Sequence, residues 1–207
     1  MIPWHTFALF MLGAIALNLT PGPDMTFVLA QSAGRGIRAG LAAAFGVAAG
    51  SLVHLTLAVL GLAALLAAWP LAFDIVRYAG AAYLVWIAVG MIRQPPHLAA
   101  GGAEGCRAIA FRQGALTNIT NPKVALFFIA FLPQFVTPGT GPAWLQILLL
   151  GVAFNVSGTA VNCLVALGGG TLAGRLKRTP IVGRIVGWLS ASVMMGLALR
   201  LALPDRR

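Results

Sequence analysis

The chain is written in long apolar runs with short polar punctuation. No Asp, Glu, Lys or Arg occurs from Met1 to Pro23, from Ala39 to Phe73, or from Val124 to Gly174. A helix needs roughly 20 apolar residues to cross the hydrocarbon core of a bilayer. The longer runs therefore hold more than one crossing, or a crossing and its turn. Six helices are predicted. The first covers about Trp4 to Gln31, interrupted at Pro21 to Pro23, and the second about Arg38 to Ala67. Trp69-Pro70 makes a tight turn into a third, about Leu71 to Ile92. The only sizeable polar stretch follows, with Pro95-Pro96 and Gly101-Gly102. The fourth helix covers about Phe111 to Phe135, interrupted at Asn121-Pro122. Thr137 to Pro142 is a turn rich in Pro and Gly. The fifth helix covers about Ala143 to Leu172 and the sixth about Pro180 to Leu203.

Composition fits this pattern. Of 207 residues, 59% are hydrophobic and 9% charged, against about 25% charged in a soluble domain. The net charge of +10 is not a nucleic-acid footprint, because the basic residues sit in small groups between apolar spans. Arg35, Arg38, Arg93, Arg107, Arg112, Arg175, Lys177, Arg178 and Arg184 follow helices one, three and five, nine residues in all. The positive-inside rule places them in the cytoplasm and both termini outside. Arg200, Arg206 and Arg207, three residues, weigh the other way. A five-helix count with one re-entrant span would move one terminus.

Two segments look like copies of each other. Asn18-Leu19-Thr20-Pro21-Gly22-Pro23-Asp24 interrupts helix one, and Asn118-Ile119-Thr120-Asn121-Pro122-Lys123 interrupts helix four. Gly46-Val47-Ala48 in helix two recurs as Gly151-Val152-Ala153 in helix five. Two blocks of three helices must insert with opposite orientation, because three is odd. The expected fold is an all-α membrane protein of six transmembrane helices in two inverted three-helix repeats, residues 1–93 and 111–207. A cytoplasmic loop, 94–110, joins them, and helices one and four are broken at their Pro motifs. Broken helices in inverted repeats mark substrate sites near the bilayer midplane.

Proline removes a backbone donor and clashes with the preceding turn. Stranded backbone groups at membrane depth are tolerated only beside protein or water, so each break should face an internal cavity. Asn121 suits a helix N-cap and Pro122 the first helical position. The restarted helix would aim amides at an anionic group such as a carboxylate. Asp24 in a first turn complements the helix dipole; Lys123 in a first turn opposes it and needs a partner. Acids are scarce, namely Asp24, Asp74, Glu104 and Asp205. Asp24 and Lys123 are therefore expected to face each other, directly or through substrate and water. A static ion pair stapling the halves together is the competing reading. Asn18, Thr20, Asn118, Thr120 and Asn121 would line the same cavity or simply satisfy broken backbone. Asn155, Ser157 and Asn162 could extend the lining or pack as polar groups.

Gly40, Ala44, Gly46 and Gly50 form a small-residue stripe suited to close helix approach in lipid. Gly168-Gly169-Gly170 reads as a helix end. His54 stands well inside a span, as a proton relay or a packing histidine. Asp74 and Arg77 are one turn apart, as for an interfacial ion pair, and Tyr83 and Trp86 read as packing or interface aromatics. Cys106 and Cys163 have no metal or redox spacing. The N-terminus lacks the basic region of a signal peptide, although Ala14-Ile15-Ala16 weakly resembles a cleavage site. No nucleotide loop, Ser/His/Asp set or metal cluster appears, so no cofactor is expected and an enzyme or redox carrier has no evident chemistry. A scaffold would not need two matched breaks of opposite charge.

The motifs Asn18 to Asp24, Gly34-Arg35-Gly36 with Gly40, Gly80-Ala81-Ala82-Tyr83-Leu84, and Asn118 with Asn121-Pro122-Lys123 resemble those of the LysE/RhtB family of bacterial amino-acid exporters. The resemblance runs over nearly the whole chain. It implies a multi-pass protein of the bacterial cytoplasmic membrane that exports amino acids or close derivatives, uses the proton motive force and associates as a homodimer. A zwitterionic substrate would meet Lys123 or helix amides with its carboxylate, and Asp24 or unwound carbonyls with its ammonium. Asp24 could instead carry the coupled proton. With few acids around the cavity, a neutral amino acid fits better than a basic one. A cation or metal exporter of the same superfamily is the alternative.

Overall fold

The computed structural model describes residues 2–62, 106–137 and 139–169, with isolated positions at 78, 82, 85, 86, 89, 188, 191, 192, 195, 196, 198 and 199. The expected third and sixth helices, and the pair Asp74 and Arg77, lie largely outside the described residues.

Helix α1 (Trp4–Leu19) ends where Pro21 offers no amide to continue it. Helix α2 (Pro23–Arg35) restarts with proline at its first position, after Gly22 in extended backbone. The two are bent by 49° and together are long and apolar enough for one span. Gly36, at φ 87°, ends α2 and begins α3 (Ile37–Leu57); that left-handed backbone suits glycine because it has no Cβ. A single π-helical turn, Ala58–Leu62, follows. Helix α4 (Arg107–Ile119) meets α5 (Pro122–Leu126) at the second break, and α5 continues as a π-helical turn, Phe127–Phe131, and a 3-10 turn, Leu132–Phe135. This bend is also 49°. Helix α6 (Ala143–Leu167) completes the described core. The stretches Ile37–Gly61 and Ala143–Leu167 have 25 residues each, about 37 Å of helix, enough to cross a bilayer with some tilt.

One boundary moves. Helix α4 begins at Arg107, not Phe111, so the loop expected at 94–110 gives up its last residues to the helix. The Cys106 carbonyl accepts from the Ile109 and Ala110 amides at 2.9 and 3.4 Å, and Ala108-Ile109-Ala110 contains good helix formers.

The small residues of α3 do what their spacing predicts. A Cβ on Gly46 would collide with the Phe111 backbone, and one on Gly50 would crowd the Ala115 carbonyl and Asn118. Helices α3 and α4 therefore lie backbone to backbone. Gly46 meets Phe111 and Gly50 meets Asn118, so the two run parallel, as alternate helices of a span–turn–span chain must. Arg38 and Arg107, at their starts, share one end of the bundle, with Arg35 at the close of α2. Helix α6 runs the other way: its Ala166 meets Gly40 near that end, and its Gly151 meets Leu55 far from it.

Two apolar clusters fill the interior. One is aromatic, with Phe10, Phe127, Phe128, Phe131, Phe135 and Phe154; Phe127 and Phe154 stack with ring centres 3.9 Å apart. The other is built from small residues, Val28, Ala43, Ala44, Val47, Ala110 and Ala166. Large apolar side chains such as Leu12, Leu52, Leu57, Val156 and Leu164 point outward, as a lipid-facing surface allows.

Candidate functional site

A cavity of about 40 Å³ lies between the two helix breaks, room for a few waters. Asn18, Thr20 and Asp24 line it from the first break, Asn118 and Lys123 from the second, and Asn155 from α6. Val47 of the small-residue cluster and Phe154 of the aromatic cluster also border it, so it sits at their junction.

Lys123 is the centre of the arrangement. Only 9% of it is exposed, and its Nζ donates to the carbonyls of Leu17 at 3.2 Å and Thr20 at 2.9 Å. The Leu17 carbonyl would accept the amide of residue 21 in an unbroken helix. Pro21 has no amide, and Lys123 takes its place. The ammonium also stands at the C-terminal end of α1, where the helix dipole favours a cation. Gly22 leaves room for it: a Cβ there would come within 3.2 Å of Nζ.

Of the two arrangements expected, a direct pair or a meeting through substrate and water, the direct one is absent: among the described residues no ion pair joins Lys123 to Asp24. Lysine resolves its conflict with the dipole of its own helix by using the dipole of another. Asp24, 8% exposed, instead accepts through Oδ2 from Asn118 Nδ2 at 2.8 Å. The two charges border one cavity and act on each other across it.

The polar neighbours divide by role. Asn121 caps α5, its side-chain oxygen accepting from the Lys123 amide at 3.0 Å. Asn18 donates to Ser157 Oγ at 3.0 Å, and Asn155 donates to the Ala48 carbonyl at 3.0 Å. Pro21 is half-buried, while Pro23 and Pro122 are exposed; all three shape backbone without lining the cavity. Thr20 and Thr120 both donate to the carbonyl four residues back, Ala16 at 2.7 Å and Leu116 at 2.9 Å. Thr20 is buried at the cavity, but Thr120 is exposed and does not line it, contrary to expectation. Its hydroxyl serves the frayed end of α4 on the outer face.

Sequence reasoning missed Met25, Ser51 and Thr159, which also line the cavity. The signal for Thr159 was present: Asn155, Thr159 and Asn162 fall at i, i+4 and i+7, one polar stripe on an apolar helix. Ser51, a lone serine among small residues, gave none. Among the described residues, four buried side-chain atoms have no hydrogen bond of ordinary length: Asp24 Oδ1, Ser51 Oγ, Asn118 Oδ1 and Asn121 Nδ2. Asn121 does not line the cavity and its amide acts on the Asp24 carboxylate. Buried polar atoms are normally paired, so Ser51 and Asn118, which do line it, leave polar atoms for a guest, and Lys123 offers a donor for an anionic group.

A family model described as LysE type translocator matches residues 15–204. The chain belongs to this family. As a LysE type translocator it is a multi-pass membrane protein, and its two broken helices frame the site in that setting. An uncharacterized membrane protein of Pseudomonas aeruginosa is 41% identical over 170 residues, 78% of this chain and 79% of that protein. A leucine efflux protein of Enterobacter sp. (strain 638) is 32% identical over 202 residues, 95% of this chain and 94% of that protein. An uncharacterized membrane protein of Vibrio cholerae is 32% identical over 203 residues, 96% and 97%. No solved structure matches the chain.

Proposed function

We propose that this translocator exports a neutral amino acid from the cytoplasm across the bacterial inner membrane, driven by the proton motive force. The observation that carries this reading is the single cavity bordered by Asp24 on one broken helix and Lys123 on the other. A zwitterion carries one charge for each. Its carboxylate would displace a carbonyl from Lys123; its ammonium would meet Asp24 and Asn118 Oδ1. Met25, Val47 and Phe154 offer an apolar wall for an aliphatic side chain, in keeping with relatives named leucine efflux protein. The end carrying Arg35, Arg38 and Arg107 faces the cytoplasm by the positive-inside rule.

The test is to profile amino acids inside and outside cells expressing wild type or Asp24→Asn at equal membrane level. Leucine or another neutral amino acid should accumulate outside only with wild type. Equal profiles would remove amino-acid export as the function.

A further inference from the structure

The first break has a clasp, Lys123 on the Leu17 carbonyl. The second has one too. Pro122 has no amide, so in the second break the stranded carbonyl is that of Asn118. It accepts a turn bond from the Asn121 amide at 2.9 Å, just as Leu17 accepts one from the Thr20 amide at 3.1 Å. Its other partner is His54 Nε2, 3.1 Å away on α3. The carbonyls stranded by Pro21 and Pro122 are therefore each closed by a basic side chain from the other half of the chain. The difference lies in the base. Histidine is the side chain whose ordinary charge change falls between about pH 5 and 8.

We infer that His54 is a positioning residue that makes the second break proton-responsive, and that its protonation competes with the substrate ammonium at Asp24. A carbonyl only accepts, so Nε2 carries hydrogen and Nδ1 is the basic nitrogen. The ring stacks on Phe128, with centres 6.1 Å apart and planes at 15°, which fixes its aim. Asn118 links it to the site: the backbone carbonyl takes the His54 bond, while the side chain donates to Asp24. Among the described residues the charged group in electrostatic reach is Asp24 on α2, on which Lys123 of α5 also acts; α4 presents the neutral Asn118. When Nδ1 takes a proton from water, the bond to Asn118 becomes charge-assisted and stronger. A second positive charge then joins Lys123 in attracting Asp24, and a substrate ammonium is held less tightly. Binding linkage is reciprocal, so bound substrate equally disfavours the proton. Mutual exclusion of this kind is what exchange of a proton for an amino acid requires. The proton returns to water on the other side, and His54 ends the cycle unchanged.

This inference rests on the export reading, and the experiment separates the two. The full chain, with Cys106→Ser, Cys163→Ser and a reporter Ser51→Cys one turn before His54, is placed in proteoliposomes. Thiol labelling of the reporter is followed without substrate between about pH 5.5 and about pH 8, each rate divided by that of the same chain unfolded in detergent at the same pH, so that the ordinary loss of thiolate in acid cancels. This ratio should fall several-fold at the acid end as the clasp tightens. His54→Gln, a donor that does not titrate, should abolish the pH response; His54→Lys, a charged donor over this range, should hold the slow rate throughout. A response that survives in His54→Gln, or is absent with His54 in place, overturns the inference. Leucine movement by the unmodified chain is measured in parallel vesicles under an imposed pH gradient. No leucine movement together with His54-dependent labelling would sink the export reading and leave the clasp standing. Leucine movement that the gradient drives equally well in His54→Gln would sink the proton role and leave export standing.

Discussion

The two breaks share a bend of 49° and differ in what surrounds them. The first has no side chain capping its restart at Gly22, and a polar cavity at its side. It is closed by one distant ammonium. The second has its own cap, Asn121, and leads into a helix packed among Phe10, Phe127, Phe128 and Phe131. Repeated sequence thus produced repeated backbone, while its surroundings left the first restart uncapped and closed by Lys123, and gave the second its own cap beside the bond from His54.

The largest effect should come from removing the distant ammonium. Lys123→Met leaves the Leu17 and Thr20 carbonyls without their strongest donor, at about 1–3 kcal/mol for each buried group. Thermal unfolding in detergent should fall by several degrees and transport should vanish. A variant as stable as wild type would show that water replaces lysine and that the first break does not depend on it.

Next comes the glycine pair of the repeat. Gly46→Ala drives a methyl into the Phe111 backbone, whereas Gly151→Ala meets the ends of the Leu55 and Phe128 side chains. Overpacking costs about 1–3 kcal/mol, and Gly46→Ala should lie at the upper end because backbone cannot rotate away. Equal unfolding temperatures for the two variants would mean that α3 and α4 separate readily.

A smaller loss is expected for Asn121→Ala, about 1 kcal/mol for the missing cap, read as a modest drop in unfolding temperature and a larger drop in transport, because its side chain acts on Asp24. The smallest effect belongs to Thr120→Val, within about 0.5 kcal/mol for an exposed position and with transport unchanged. A transport defect there would return Thr120 to the cavity and erase the difference from Thr20.

Much of this was legible in the chain. Pro21 and Pro122 dictate where the spans break, since neither offers an amide. The spacing of Gly46 and Gly50 foretold a close helix approach, but not that α4 is the partner. Asp24 and Lys123 were expected to face each other directly or through substrate and water, and they border one cavity without a direct bond, each satisfied by different groups. The missing direct bond has a physical origin. A sequence shows how few acids are available to a buried lysine; it does not show the carbonyls that a proline has stranded on another helix. The same blindness hid the tie between His54 and Asn118, which depends on a contact between residues in different halves of the chain.

Sequence alone determined the elements that need only neighbouring residues: apolar runs long enough for spans, proline breaks and the Asn121 cap. Only the tertiary structure decided which base closes which break, that Thr20 faces inward while Thr120 faces out, and that Ser51 and Thr159 join the cavity. Those outcomes depend on how helices are rotated and set against one another. Small residues let two backbones touch, and the stranded groups then bond to whatever donors the packing brings within reach.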